Sequence, residues 1–212
     1  MTEAEWLTCI DPRTMLEFLR GKASDRKLRL FACACCRRVP CVARDSGSRR
    51  VLEAAERFSD GLISVDELEG TQNYECDEDP ALDAAAIPCN AERAAYVAYC
   101  LVGDGGTNQR GTPDFWVRAN AERASQANLL REIVGNPFCP ATITSAIRAW
   151  NDGTIVKLAR VIYEELAFDR FPVLADALED AGCNDNVILE HLRGPGAHAR
   201  GCFALDAILG TE

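Results

Sequence analysis

Histidine is nearly missing from this chain. There are two in 212 residues, His191 and His198, and both fall within Glu190–Cys202, "EHLRGPGAHARGC". Imidazole chemistry, whether acid–base or metal-ligating, is thereby confined to one short stretch. Long apolar runs are missing too: no window approaches the roughly 18 uncharged apolar residues that a membrane span requires. The opening residues "MTEAE" begin with acids rather than with a basic segment leading into an apolar one. The expectation is a soluble, cytoplasmic protein with no membrane segment. Nucleotide and hydrolase signatures are absent as well: there is no phosphate-binding glycine loop, Gly-x-Ser-x-Gly elbow or His-Glu-x-x-His pair. The "GDGG" at 103–106 lacks the strand and lysine that a phosphate loop needs. Serine-based nucleophilic catalysis has no support.

Cysteine, by contrast, is plentiful. The chain has 11, an odd number that disulfides within one chain could not fully pair. Without an export signal they are expected as reduced thiols serving as small apolar core residues, metal ligands or redox groups. Hydrophobic residues make up 48%, enough for a packed core and too many for a disordered chain.

The net charge of -10 disfavours nonspecific nucleic-acid binding, and its distribution is uneven. Arg20 to Arg50 carries ten Lys or Arg against Asp25 and Asp45, whereas Val51 to Asn90 carries eleven Asp or Glu against Arg57 alone. Two blocks of opposite sign can neutralise each other by packing together. The alternative, a basic face for an anionic partner, lacks interleaved aromatics, since Phe31 is the single one in the basic block. Nucleic acid is not the expected partner.

Periodicity predicts an all-α fold: a compact bundle of roughly eight to ten short amphipathic helices. Thr2-x-x-Glu5 and Ser64-x-x-Glu67 are capping-box patterns, and Asp11-Pro12 sets a cap and an N1 proline before "RTMLEFLRG". Ser24-Asp25 opens a helix whose Leu28, Phe31, Ala32, Cys35 and Val39 recur at three and four residues, with Pro40 as its stop. "GTQNYECDEDP" reads as an exposed acidic loop, Asn90 as the cap of an alanine-rich helix, and Asn184 as the cap of "DNVILEHLRG". Residues 1–212 are read as one helical domain, with a candidate sub-boundary at the linker near 103–112.

Several stretches, "MLEFLRGKASDRKLRLFACACCRR", "LLREIVGNPF", "WNDGTIVKLARVIYEELAFDRFPVLADALEDAGC" and "HLRGPGAHARGC", resemble an uncharacterised domain family of planctomycete-type bacteria. The resemblance spans nearly the whole chain, with about Ser59 to Gly111 covered least. It implies one recurring unit and brings no activity, substrate or cofactor with it.

Chemistry has two candidate seats. Cys183-x7-His191-x6-His198-x3-Cys202 offers two thiolates and two imidazoles, a normal tetrahedral zinc set. Its spacing matches no common finger pattern, lacking both a C-x2–4-C and an H-x3–5-H pair. The reading that needs no metal has His191 interacting with the last carbonyls of its helix, His198 ordering the loop, and Cys183 and Cys202 packed as small apolar residues. The second seat is Cys33-x-x-Cys36 within "CACC", followed by Cys41. Its spacing is redox-like, but it lies more than two turns inside a helix, away from the helix-end dipole that activates such thiols. Core burial is the expectation there, with metal binding by Cys33, Cys36 and Cys41 as a minor alternative. Asp176, Glu179, Asp180 and Glu190 read as a solvated outer face rather than as catalytic carboxylates.

The functional expectation is a non-enzymatic helical module that binds another protein in an interaction or regulatory role. The alternatives are a zinc-stabilised module and a metal-dependent hydrolase, both using Cys183, His191, His198 and Cys202.

Overall fold

A computed structural model describes residues 1–72, 79–86, 89–105 and 111–211. Among these the protein is all-α, with no strand. The helices are α1 (Glu3–Thr8), α2 (Pro12–Leu19), α3 (Asp25–Arg37), α4 (Pro40–Arg44), α5 (Ser46–Ser59), α6 (Val65–Gly70) and α7 (Pro80–Ala85). They continue with α8 (Ala91–Asp104), α9 (Pro113–Val134), α10 (Ser145–Glu165), α11 (Phe171–Asp180), α12 (Asn186–Arg193) and α13 (Phe203–Leu209). Nine of these helices have seven residues or more, within the eight to ten expected, and α1, α4, α6 and α7 are short turns of five or six residues. The helices gather into two compact units, Met1–Arg131 and Glu132–Glu212, and the division falls inside α9. Residues 106–110 of the 103–112 linker lie outside the described residues.

The caps follow the sequence closely. Both capping boxes form, and Asp11, Ser24 and Asn90 each accept a backbone N–H in the first turn of their helices. Three expectations shift. Pro40 follows the end of α3 and also starts α4 as its first residue, the position where its missing N–H is harmless. The acidic "GTQNYECDEDP" lies partly outside the described residues, but its Asp79-Pro80 pair caps and starts α7, a helix that alanines alone do not announce. Asp185, not Asn184, caps α12 by accepting from the amides of Val187 and Ile188.

In unit 1, α3 is the hub, packed against α5, α7 and α8. Phe31, Ala32, Cys35 and Val39 are buried as the helical row predicts, and Cys33 and Cys36 join them. Burial pushes all three thiols well above their ordinary range, which keeps them protonated and apolar in character. Cys41 is exposed. Arg29 is buried too: its guanidinium donates to the carbonyls of Ala84 and Ala86 and pairs with Asp25. It thereby joins α3 to the end of α7. The charge blocks meet where Arg26 pairs with Asp60 and Arg37 with Glu56, while Arg38 pairs with Glu122 on α9.

In unit 2, α10, α11, α12 and α13 enclose their own core. Phe171, Leu174, Ala175 and Leu178 recur at the helical period on α11 and are all buried. The "WND" run interrupts α10: Asn151, Asp152 and Gly153 take positive φ, a conformation these three residue types tolerate better than most. No helix among the described residues is long and apolar enough to cross a membrane.

Candidate metal centre

Unit 2 assembles its polar centre from four separate pieces of chain. The first is the end of α9, where Glu132 is set in the apolar stretch "LLREIV". Gly135 ends this stretch at φ +74, and a Cβ there would sit 3.0 Å from the ring of Phe203. Only glycine combines that left-handed turn with that close approach. Phe203, the first residue of α13, can therefore close on the segment just after Glu132.

The second piece is α12. Its Ile188, Leu189 and Leu192 are buried, and His191 lies beside them in the last turn, its ring 4.5 Å from that of Phe203. The third is the connection between α12 and α13, which carries His198. The ring of His198 packs 4.4 Å from Phe171, edge to face. The fourth is Cys202, immediately before α13, completely buried at 0% exposure.

These pieces converge on Glu132. Its Oε2 lies 3.3 Å from His191 Nε2 and its Oε1 lies 3.3 Å from His198 Nδ1. The Ala199 amide donates to Oε1 at 3.4 Å, which ties the loop to the same carboxylate. Cys202 Sγ is 3.2 Å from His191 Nε2. The two imidazoles stand 5.1 Å apart and nearly perpendicular. One ligand atom from each of Glu132, His191 and His198 falls within 4.8 Å of the others, an arrangement that could hold a metal ion. The side chains are secluded: 7% exposed for Glu132, 9% for His198 and 18% for His191.

Burial lowers the pKa of His191, against a smaller opposing pull from Glu132 and with a further lowering by His198. A neutral imidazole is the metal-ligating form. Burial likewise pushes the Cys202 thiol well up, reinforced by Glu132, while the amides of Leu205 and Ala204 act in the opposite direction.

Of the four residues singled out from sequence, the fold thus brings His191, His198 and Cys202 together. Cys183 lies in the apolar core of unit 2, just after α11, its amide donating to the Leu178 carbonyl; the group of ligand atoms within 4.8 Å of one another is Glu132, His191 and His198, and Cys202 joins it at His191. The His191 side chain turns to Glu132 and Cys202; the carbonyl of its own residue is satisfied by the Gly194 amide. Sequence reasoning missed Glu132. The available signal was weak: one acid at a position flanked by Leu129, Leu130 and Ile133, all buried. The carboxylates of the outer face behave as expected. Asp176 and Glu179 are held by Arg193 at the surface, a solvated cluster.

Unit 1 has a cleft of a different kind. A cavity of about 490 Å³ is lined by Asp11, Arg13, Tyr96, Tyr99, Arg123 and Gln126, among others. Within it Arg123 pairs with Asp11 at 3.0 Å.

No protein-family model, curated protein or solved structure matches this chain. The functional reading therefore rests on the geometry alone.

Proposed function

We propose that this protein is a metal-stabilised, non-enzymatic helical module whose C-terminal unit holds a divalent cation, zinc by its donor set, through Glu132, His191 and His198. The observation that carries the reading is the convergence of a buried carboxylate, Glu132, and both histidines of the chain on one point. The contacts are 3.3 Å long. Charge-assisted hydrogen bonds are normally shorter, about 2.7–2.9 Å. By contrast, ligands at about 2.0–2.1 Å around a tetrahedral zinc are separated by about 3.3–3.4 Å. Each contact is as long as one edge of such a shell, and the two are made by different oxygens of Glu132, Oε2 to His191 and Oε1 to His198.

A structural role is favoured over hydrolysis by the walls of the site. Phe168, Phe171 and Phe203 pack around the imidazoles, and such rings exclude the water and substrate that a catalytic zinc must admit. A protein-binding role draws support from unit 1. There Tyr96, Tyr99, Phe115 and Trp116 form a run of rings whose ends stay open, with Trp116 50% exposed.

The test is elemental analysis and thermal unfolding of the full chain without a histidine tag. About one zinc per chain is expected, and zinc at about 100 times its Kd should raise Tm by about 5–10 °C. Glu132→Gln and His198→Ala should lose most of that rise. A wild-type protein that retains no metal and whose Tm ignores both zinc and chelator would overturn the reading.

A further inference from the structure

We propose that Cys202 is the fourth ligand of this cation, closing a tetrahedron of one thiolate, two imidazoles and one carboxylate and making the centre a sealed clip. The inference rests on the metal reading above and goes further, because three protein ligands leave a position open to water whereas four leave none.

Geometry is the first argument. Cys202 Sγ stands 3.2 Å from His191 Nε2, and the edge between a nitrogen and a sulfur ligand of tetrahedral zinc is about 3.6 Å. Cys202 thus already stands at ligand separation from one imidazole, and a movement of its side chain toward Glu132 and His198, which with His191 form the tighter group of three, completes the shell. Charge is the second. A zinc ion held by Glu132 and two neutral imidazoles leaves one net positive charge in a secluded site. Adding the Cys202 thiolate brings the total to zero, and a neutral centre is the one that burial favours. On binding, the Cys202 S–H bond breaks, its proton leaves to solvent water and the sulfur lone pair forms the bond to zinc. No electron is transferred.

Topology is the third. Glu132 ends α9, His191 lies in the last turn of α12, His198 lies in the loop, and Cys202 directly precedes α13. The His198-to-Cys202 segment has no helix of its own, and a four-point clip pins both of its ends.

Cobalt(II) loading of the full chain tests this, because a cobalt–thiolate bond produces a charge-transfer absorption in the near ultraviolet. Wild type should bind about one cobalt per chain and show that band. Cys202→Ser should lose the band while still binding cobalt, with zinc affinity weakened by more than the about 10–100-fold typical of losing an outer-shell partner. Cys183→Ser should keep the band. Cobalt bound by wild type without the band, or a band that survives in Cys202→Ser, would overturn the role of Cys202 and leave the three-ligand site standing. Failure to bind cobalt or zinc at all would overturn both. Absence of the band in wild type decides against Cys202 without any variant, and Cys202→Ala serves in place of Cys202→Ser should the latter not fold.

Discussion

Glu132 is a buried acid whose partners are two imidazoles, a backbone amide and a thiol. His191 makes this visible as a pH dependence. Its folded pKa is lowered, chiefly by burial, below the ordinary value of about 6.5. Below that pH the unfolded chain takes up a proton that the folded chain resists, so stability is full above about 6.5 and falls as the pH drops toward the folded value. Urea denaturation of the metal-free protein should therefore show a lower unfolding free energy at about pH 5.5 than at about pH 7.5, and His191→Gln should remove that part of the slope. The facing groups are Glu132, His198 and Cys202. An unchanged slope in the variant would mean that His191 is not the titrating group.

Helix ends decide the elements. The side-chain oxygens of Thr2, Asp11, Ser24, Ser64 and Asn90 cap the helices that the sequence leads one to expect. At α12 the cap moves by one residue to Asp185, a displacement that sequence cannot resolve because Asn184 and Asp185 are both good caps. The two are separable by experiment. Asp185→Ala should destabilise by about 1 kcal/mol through loss of its bonds to the Val187 and Ile188 amides. Asn184→Ala should stay within about 0.5 kcal/mol. Equal losses at the two positions in chemical denaturation would contradict this assignment. The stake is larger than one helix, since α12 carries His191 to the centre.

The two compact units give metal binding a local reach. All of Glu132, His191, His198 and Cys202 belong to the C-terminal unit, whereas the α3 hub with its buried Arg29 and cysteines belongs to the other. Zinc should therefore slow amide hydrogen exchange in α12, in the 194–202 connection and at the start of α13, and leave α3, α5 and α8 at their metal-free rates. Exchange that slows equally throughout the chain would show that the units unfold together.

The sequence by itself determined the fold class, most of the caps, the burial of Cys33, Cys35 and Cys36, and the stretch where any imidazole site must lie. These follow from local rules: a helical period, a cap residue beside the first turn, a count of two histidines. Only the tertiary structure decided which side chains meet. Glu132 lies far from His191 along the chain, and nothing in "LLREIV" marks its carboxylate as anything but an acid in an apolar run. Cys183 and Cys202 flank the two histidines in sequence, and both are buried in the core of unit 2, yet of the two it is Cys202 whose sulfur meets His191. The physical reason is that a helical period specifies a face, while the neighbour of that face is set by how helices pack against one another.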